Sequence, residues 1–302
     1  YNEGTSDWDE IKTGLTDGLD YSMITYQDKV YITNGTDNFM YYDGTTVTEV
    51  AAVSKVKYLA VDKDVIYGAG KSGSGNSSTL LYTNAGDLLT VADFANFEII
   101  DRTTEGIITS LDTFVGLASV GTDKGNYIVN VFGTSVDVQK ADYQGDVSSH
   151  RGVVNVENDQ FFMSTRGFYS LSQRQGTSGS YRANSFSSPI QKEIDKVTDK
   201  STTAAHYYKK TNNIYVSVNK DGSRNNTLYV YSVLTSNPRL SKHVWTEYEN
   251  INANDFTEYT DADGVVHLLV ANAFGGQVIE IETGFTDNGT DILSTIQTKT
   301  FD

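Results

Sequence analysis

The 302-residue sequence has no cysteine, only two prolines, and 23 lysines and arginines against 39 acidic residues. Without cysteine there is no disulfide, no zinc ribbon and no thiol nucleophile. The shortage of cations leaves a formal charge of −16. That argues against a general nucleic-acid-binding surface, which works by neutralising phosphates and releasing counterions. It suits solubility, or a surface that DNA passes without sticking. No apolar run approaches the ~20 residues needed to cross a bilayer, and the longest, such as Val265–Ala271, are strand-sized. The chain opens at Tyr1 with neither Met nor a signal-peptide pattern, so the expectation is a trimmed or partial chain. Charged residues make up 21%, below the ~25% norm, and the share goes to Ser, Thr, Asn and Gly. Such a composition is not disordered, collagen-like or coiled-coil.

What is present is short alternating strands. Lys29–Thr33 (KVYIT), Phe39–Tyr42 (FMYY), Asp64–Tyr67 (DVIY) and Thr79–Tyr82 (TLLY) are dominated by β-branched and aromatic residues, which suit a half-buried pleated surface. Between such runs stand Asn34-Gly35, Asp43-Gly44, Asp221-Gly222, Asp263-Gly264 and Asn288-Gly289, each able to supply the positive φ of a tight turn. The chain reads as mostly antiparallel β.

The strand pairs recur. Tyr31, Tyr67, Val115, Phe162, Tyr215 and Leu268 fall in register, at steps of 36, 48, 47, 53 and 53 residues. A period of ~40–50 residues, four strands each, is that of β-propeller blades. The expected fold class is all-β: a six-bladed β-propeller of antiparallel strands, forming one domain over 1–302. A pair of stacked β-sandwiches is the alternative. One segment departs from the pattern. Ser188-Pro189-Ile190-Gln191 reads as a capping box, with Ser188 as N-cap. Ile190, Ile194 and Val197 follow at helical spacing, predicting a short amphipathic helix over about 188–198 packed outside a blade. A weaker second helix is expected around Asp87–Ala95.

Chemical motifs are sparse. Gly68-Ala69-Gly70-Lys71-Ser72 ends like a phosphate-binding loop, but Val65 stands where the first glycine belongs and a strand follows instead of a helix. It reads as a flexible hairpin loop. Asp261-Ala262-Asp263-Gly264 begins like a calcium loop, but Tyr259 and Val270 occupy positions that need oxygen ligands, so a hairpin turn is expected. His150, His206, His243 and His267 share no metal-ligand spacing and read as structural. Gly176–Ser180 misses the nucleophile-elbow pattern at its last position. No catalytic, cofactor-binding or metal-ligating residue is assigned, and no cofactor.

The order of the segments carries more. VYITNGTDNFMYYDG (30–44), KYLAVDKDVIYGAG (57–70), STLLYTNAGD (78–87), GIITSLDTFVGL (106–117) and RGVVNVENDQFFMSTRGFYSLS (151–172) are followed by the helix SSPIQKEID. After it come YYKKTNNIYVSV, NNTLYVYSVL, the Trp245 segment WTEYENINANDF, DGVVHLLVANAFGGQVIEIETG and DNGTDILSTIQTKTFD. From about residue 21 to 302 this series resembles the β-propeller proteins of tailed-bacteriophage tails, the nozzle or "stabilisation" proteins that close the DNA exit of short tails. Proteins of long tails share the propeller. Relatives continue beyond Phe301-Asp302 into an added β-sandwich or platform region, so the resemblance implies the propeller piece of a longer chain.

The resemblance implies a non-enzymatic virion structural protein, located in the phage tail as a nozzle, tail-channel ring or tail-tip scaffold. Its expected partners are other tail proteins and copies of itself in a ring, with a host surface glycan as a further one. Neither tight nucleic-acid binding nor membrane insertion is expected; the acidic surface borders the path along which DNA leaves during ejection. The alternative is a carbohydrate-active propeller, either a polysaccharide-binding receptor module or a glycosidase with two carboxylates near the axis. A cellular propeller of the WD type is disfavoured, because Trp8-Asp9 is the sole Trp-Asp pair.

Overall fold

Short runs rich in β-branched and aromatic residues, separated by turns that are in places only two residues long, fold the chain into successive antiparallel sheets of neighbouring strands. A computed structural model describes residues 10–71, 77–101, 106–133, 135–142, 145–173, 181–236, 243–248 and 251–283, with the backbone of 286–287 and 290–291. The first sheet holds β1 (Ser22–Tyr26), β2 (Lys29–Thr33), β3 (Phe39–Tyr42) and β4 (Val47–Val50). The second holds β5 (Tyr58–Asp62), β6 (Val65–Ala69), β7 (Thr79–Tyr82) and β8 (Asn96–Ile99). In the third are β9 (Ile108–Phe114), β10 (Leu117–Thr122), β11 (Gly125–Phe132) and β12 (Ser135–Lys140). The fourth comprises β13 (Val154–Val156), β14 (Asp159–Ser164), β15 (Gly167–Gln173) and β16 (Tyr181–Ser185). The fifth comprises β17 (Asp199–Tyr208), β18 (Asn213–Asn219), β19 (Thr227–Ser232) and β20 (Trp245–Tyr248). The sixth has β21 (Ala253–Thr260), β22 (Val266–Asn272) and β23 (Val278–Ile281), and a small pair, β24 (Thr286–Asp287) and β25 (Thr290–Asp291), follows it.

The result is a six-bladed β-propeller, as the repeat spacing predicts. First strands of successive sheets touch one another, β1 with β5, β5 with β9, β13 with β17 and β17 with β21, and so form the inner wall. Every first strand enters from the same face, called here the entry face; the turn into the second strand lies on the opposite, exit face. Apolar cores fill the gaps between blades. Tyr67, Leu80 and Leu111 pack between the second and third, and Tyr215, Leu228 and Leu268 between the fifth and sixth. Among the described residues no comparable cluster joins the sixth blade to the first.

Three expectations need correction. Val115 is out of register with the other five repeat positions: it lies in the turn between β9 and β10, while Tyr31, Tyr67, Phe162, Tyr215 and Leu268 sit on second strands. Val115 and Gly116 take φ of 51° and 71°. A two-residue turn of that kind normally advertises itself as Asn-Gly, and here the valine disguised it as strand. The helix is shorter than 188–198: a 3-10 turn at Ser188–Ile190 runs into α1 (Gln191–Ile194). Its N-cap is Ser187, not Ser188, and makes no side-chain cap bond. Gln191 instead donates to the Arg166 carbonyl and the Asp195 carboxylate, so the capping box does not form. Ile194 and Val197 are buried against the fourth and fifth blades as expected. Residues 87–95 form turns and bends rather than a second helix.

Candidate functional site

Inner strands converge on the axis, and the polar side chains there are the obvious place to look for chemistry. The connection from β12 to β13 turns inward and crosses the entry face. Ser149 Oγ donates to the Thr203 carbonyl on β17 at 2.6 Å, and the Ala205 N–H donates to the Arg151 carbonyl at 2.8 Å. Between these anchors, His150 and Arg151 project across the axis toward the first three blades.

His150 Nε2 lies 3.3 Å from Ser22 Oγ, which itself accepts from the Leu59 N–H at 3.0 Å. The other ring nitrogen faces the Leu111 N–H at 3.4 Å, which it meets as an acceptor, and the ring packs 4.7 Å from that of Tyr58. With Nδ1 accepting, Nε2 carries the proton and donates to Ser22. Burial, aided by the Arg151 charge, lowers the imidazole to about 4, so it stays neutral near pH 7. Arg151 pairs with Asp20 at 3.1 Å. One short segment thus ties together elements of the first, second, third and fifth blades.

Two carboxylates stand nearby. Asp112 on β9 accepts from its neighbour's Thr113 N–H at 2.8 Å and from Asn155 Nδ2 at 3.0 Å. Burial outweighs those bonds and raises it to about 6. Gln160, fully buried, donates to Asn155 Oδ1 at 3.0 Å, and Ser119 donates to Gln160 Oε1 at 2.6 Å, so the network continues between the third and fourth blades. Asp255 on β21 is raised by burial, while the charges of Arg151 and His206 pull it down. His206 closes the arrangement, 2.9 Å from Glu258 and stacked on Phe256.

The arrangement binds blade to blade. His150, read from sequence as structural, is an axial tie. No sequence signal marks it, because Ser22 is 128 positions away. His243 meets Tyr231 Oη at 3.2 Å beside Phe186, and His267 lies between Asp261 and Glu280, so all four histidines have protein partners. Among the described residues no group of three or more His, Asp or Glu could hold a metal ion.

The two tempting motifs resolve into structure. Gly68 lies within β6 under the ring of Phe94, and Lys71 donates to Ser54 Oγ at 3.0 Å. The loop that begins at Ser72 lies outside the described residues, as do Trp8-Asp9, Gly176–Ser180 and Asn288-Gly289. Asp261 accepts from the Asp263 and Val265 N–H groups and bonds His267, which makes it the pivot of a hairpin turn. No helix among the described residues is long and apolar enough to cross a membrane.

No family model matches the chain, and no curated protein does. Solved structures do match in shape. YCF48 from Cyanidioschyzon merolae aligns over 87% of this chain and 85% of its own, with a TM-score of 0.52 and 11% identity. The dihydro-heme d1 dehydrogenase NirN aligns over 84% of this chain with the same score and identity, but this chain spans only 51% of it. At such identity the likeness is one of fold. A propeller shared with a dehydrogenase does not by itself decide between catalysis and scaffolding.

Proposed function

We propose that this chain is a non-enzymatic structural propeller of a bacteriophage tail, packed with copies of itself around the path of the DNA. The order of its segments resembles such proteins, and one structural observation supports the reading further. On the exit face, the turns joining first and second strands carry Asp28, Asp64, Glu157, Asp261 and Asp263, against Lys63, Lys209 and Lys210. The Lys63 ammonium bonds the neutral Gly116 carbonyl and keeps its charge, so the balance is five acidic residues against three lysines. The inner rim of that face is therefore acidic, in keeping with the charge of −16. Acidic groups repel phosphates, so duplex DNA slides past without being held.

The axis of a single propeller is not the DNA path in this reading, since Arg151 and His150 bridge it at the entry face. The passage lies between copies, and each propeller acts as a rigid block whose faces dock neighbouring tail proteins. Two measurements test the proposal. Native mass measurement is expected to show six- or twelve-fold rings once the neighbouring tail proteins are added, and filter binding with duplex DNA in low salt is expected to show no retention. Tight, salt-sensitive DNA binding would overturn it, as would exclusively one-to-one complexes with tail proteins.

A further inference from the structure

A second opening, away from the axis, has the properties of a ligand site. It is a cleft of about 360 Å³ on the exit face, between the second and third blades. Asp62, Val65, Tyr67 and Asn96 line it from the second blade, and Leu117 and Val129 from the third. Strand register explains why these side chains share one wall. Asp62 is opposite Val65, while Tyr67 and Asn96 are both opposite Tyr82, and residues directly opposite each other in an antiparallel pair face the same side. That side looks toward the third blade, where Tyr67 and Tyr82 join the apolar core deeper in.

Two of the polar side chains in the cleft, Tyr67 and Asp62, make no hydrogen bond with the described residues. Tyr67 is 4% exposed, and its hydroxyl has no hydrogen-bond partner among the described residues. The ring is buried while the hydroxyl opens into the cleft, where a water or a ligand oxygen can accept from it. Burial, with the Asp62 charge, raises this phenol to about 12, so it remains a donor at any physiological pH. The Asp62 carboxylate likewise has no hydrogen-bond partner among the described residues. Asn96 donates to Asn84 Oδ1 at 3.1 Å, which leaves its own carbonyl oxygen to accept from a ligand.

The mouth of the cleft is fixed in place. Lys63 straps the second blade to the third by bonding the Gly116 carbonyl. Val115, beside it, holds φ at 51° and is 52% exposed. A β-branched residue in that region is strained by ~1–3 kcal/mol, and such strain collects at ligand clamps.

The chemistry of the walls selects the ligand. Asp62 and Lys63 cancel in charge, which favours a neutral molecule. A free phenol donor, a carboxylate and an amide oxygen call for several hydroxyls, while Val65, Leu117 and Val129 offer an apolar strip for C–H groups. The volume is at the small end of the ~300–1,000 Å³ usual for ligand pockets, enough for one or two rings. We propose that this cleft binds a terminal sugar unit of a neutral glycan. The inference is independent of the scaffold reading above: a tail propeller without the sugar site, or a sugar-binding propeller from elsewhere, each remains testable alone.

Saturation-transfer NMR on the purified chain, with the methyl glycosides of glucose, galactose, mannose, rhamnose and N-acetylglucosamine as probes, tests it. At least one is expected to bind, with Tyr67→Phe weakening it about tenfold, the order of one lost hydrogen bond. Leu117→Trp, which fills the cleft, is expected to abolish binding; thermal unfolding of each variant verifies that it folds, and Tyr67→Phe carries the test if the larger residue does not. Binding of none of the five probes, binding that Tyr67→Phe leaves unchanged, or equal binding of methyl glucuronide would each overturn the proposal.

Discussion

Arg151 reaches across the propeller axis from the connection entering the fourth blade to pair with Asp20, which precedes the first strand of the first blade, at 3.1 Å. The two partners are unequal. The arginine side chain is 14% exposed and the aspartate side chain 68%. Removing one is therefore different from removing the other.

Arg151→Ala is expected to cost ~1–3 kcal/mol, because it deletes a largely buried side chain and deprives Asp255 of its compensating charge. Asp20→Asn is expected to cost less than about 1 kcal/mol, since the lost pair is screened by solvent on the aspartate side. Equilibrium urea unfolding of the two variants measures the difference. Equal losses would show that Arg151 contributes nothing beyond its pair with Asp20.

His150 and Asp112 make opposite contributions to the pH dependence of stability. His150 falls from its ordinary 6.5 to about 4 in the fold. Between those values the unfolded chain takes up a proton that the folded chain refuses, so stability is lost as pH falls from 6.5 toward 4. Asp112 rises from 3.8 to about 6. Over that window the folded chain holds the extra proton, so stability is gained as pH falls. Asp112→Asn should therefore steepen the acid loss between pH 6.5 and 4, and His150→Gln should flatten or reverse it. Melting temperatures at half-unit pH steps compare the slopes; three identical slopes would dismiss both assignments.

His267 sits 2.6 Å from Glu280 through Nδ1 and 3.0 Å from Asp261 through Nε2. The hydrogen bond to Asp261, then that to Glu280, raises it above 6.5. A raised pKa means that the stabilisation is fully present below 6.5 and disappears as pH rises through the folded value. The expected NMR titration of this ring has its midpoint above 6.5, and Asp261→Asn lowers it. A midpoint unmoved by that change would mean that the Asp261 contact is not made in solution.

Gly68 tests how tightly the second blade is packed. A Cβ there would lie 2.5 Å from Cζ of Phe94. Gly68→Ala is expected to destabilise by ~1–3 kcal/mol through overpacking, and Phe94→Leu in the same chain to recover part of the loss. Chemical denaturation of the single and double variants gives the coupling. Additive effects would show that the ring does not rest on the glycine.

Much of this architecture is visible in the residues themselves. The β-branched and aromatic residues of Lys29–Thr33 and Phe39–Tyr42 give strands with those bounds. Asn34-Gly35, Asp43-Gly44, Asp221-Gly222 and Asp263-Gly264 do place their glycines at positive φ in turns. Val115-Gly116 escaped because a valine in the left-handed region breaks the rule by which such turns are found. The short helix kept its buried Ile194 and Val197, but the Gln191 amide accepts from the Ser187 hydroxyl and donates to the Arg166 carbonyl and the Asp195 carboxylate, instead of reaching back to a backbone N–H.

The candidate sites were harder to see, because none is local. Ser22 and His150 meet across 128 positions, and Asp62 and Leu117 share a cleft only because two blades stand side by side. Charge offered no help either, since an acidic residue at Asp112 and one at Asp263 look alike in a chain with 39 of them.

The sequence by itself determined most of the strands and turns, the repeat and hence the propeller, since β-forming runs and turn chemistry act over a few residues and repeat wherever the residues do. The absence of cysteine and the scarcity of cations excluded whole classes of chemistry in the same local way. Only the tertiary structure decided that the axis is bridged by His150 and Arg151, and that a cleft stays open beside Tyr67 with its hydroxyl unpaired. Those outcomes depend on how well two distant surfaces fill the space between them, and packing of that kind has no signature along the chain.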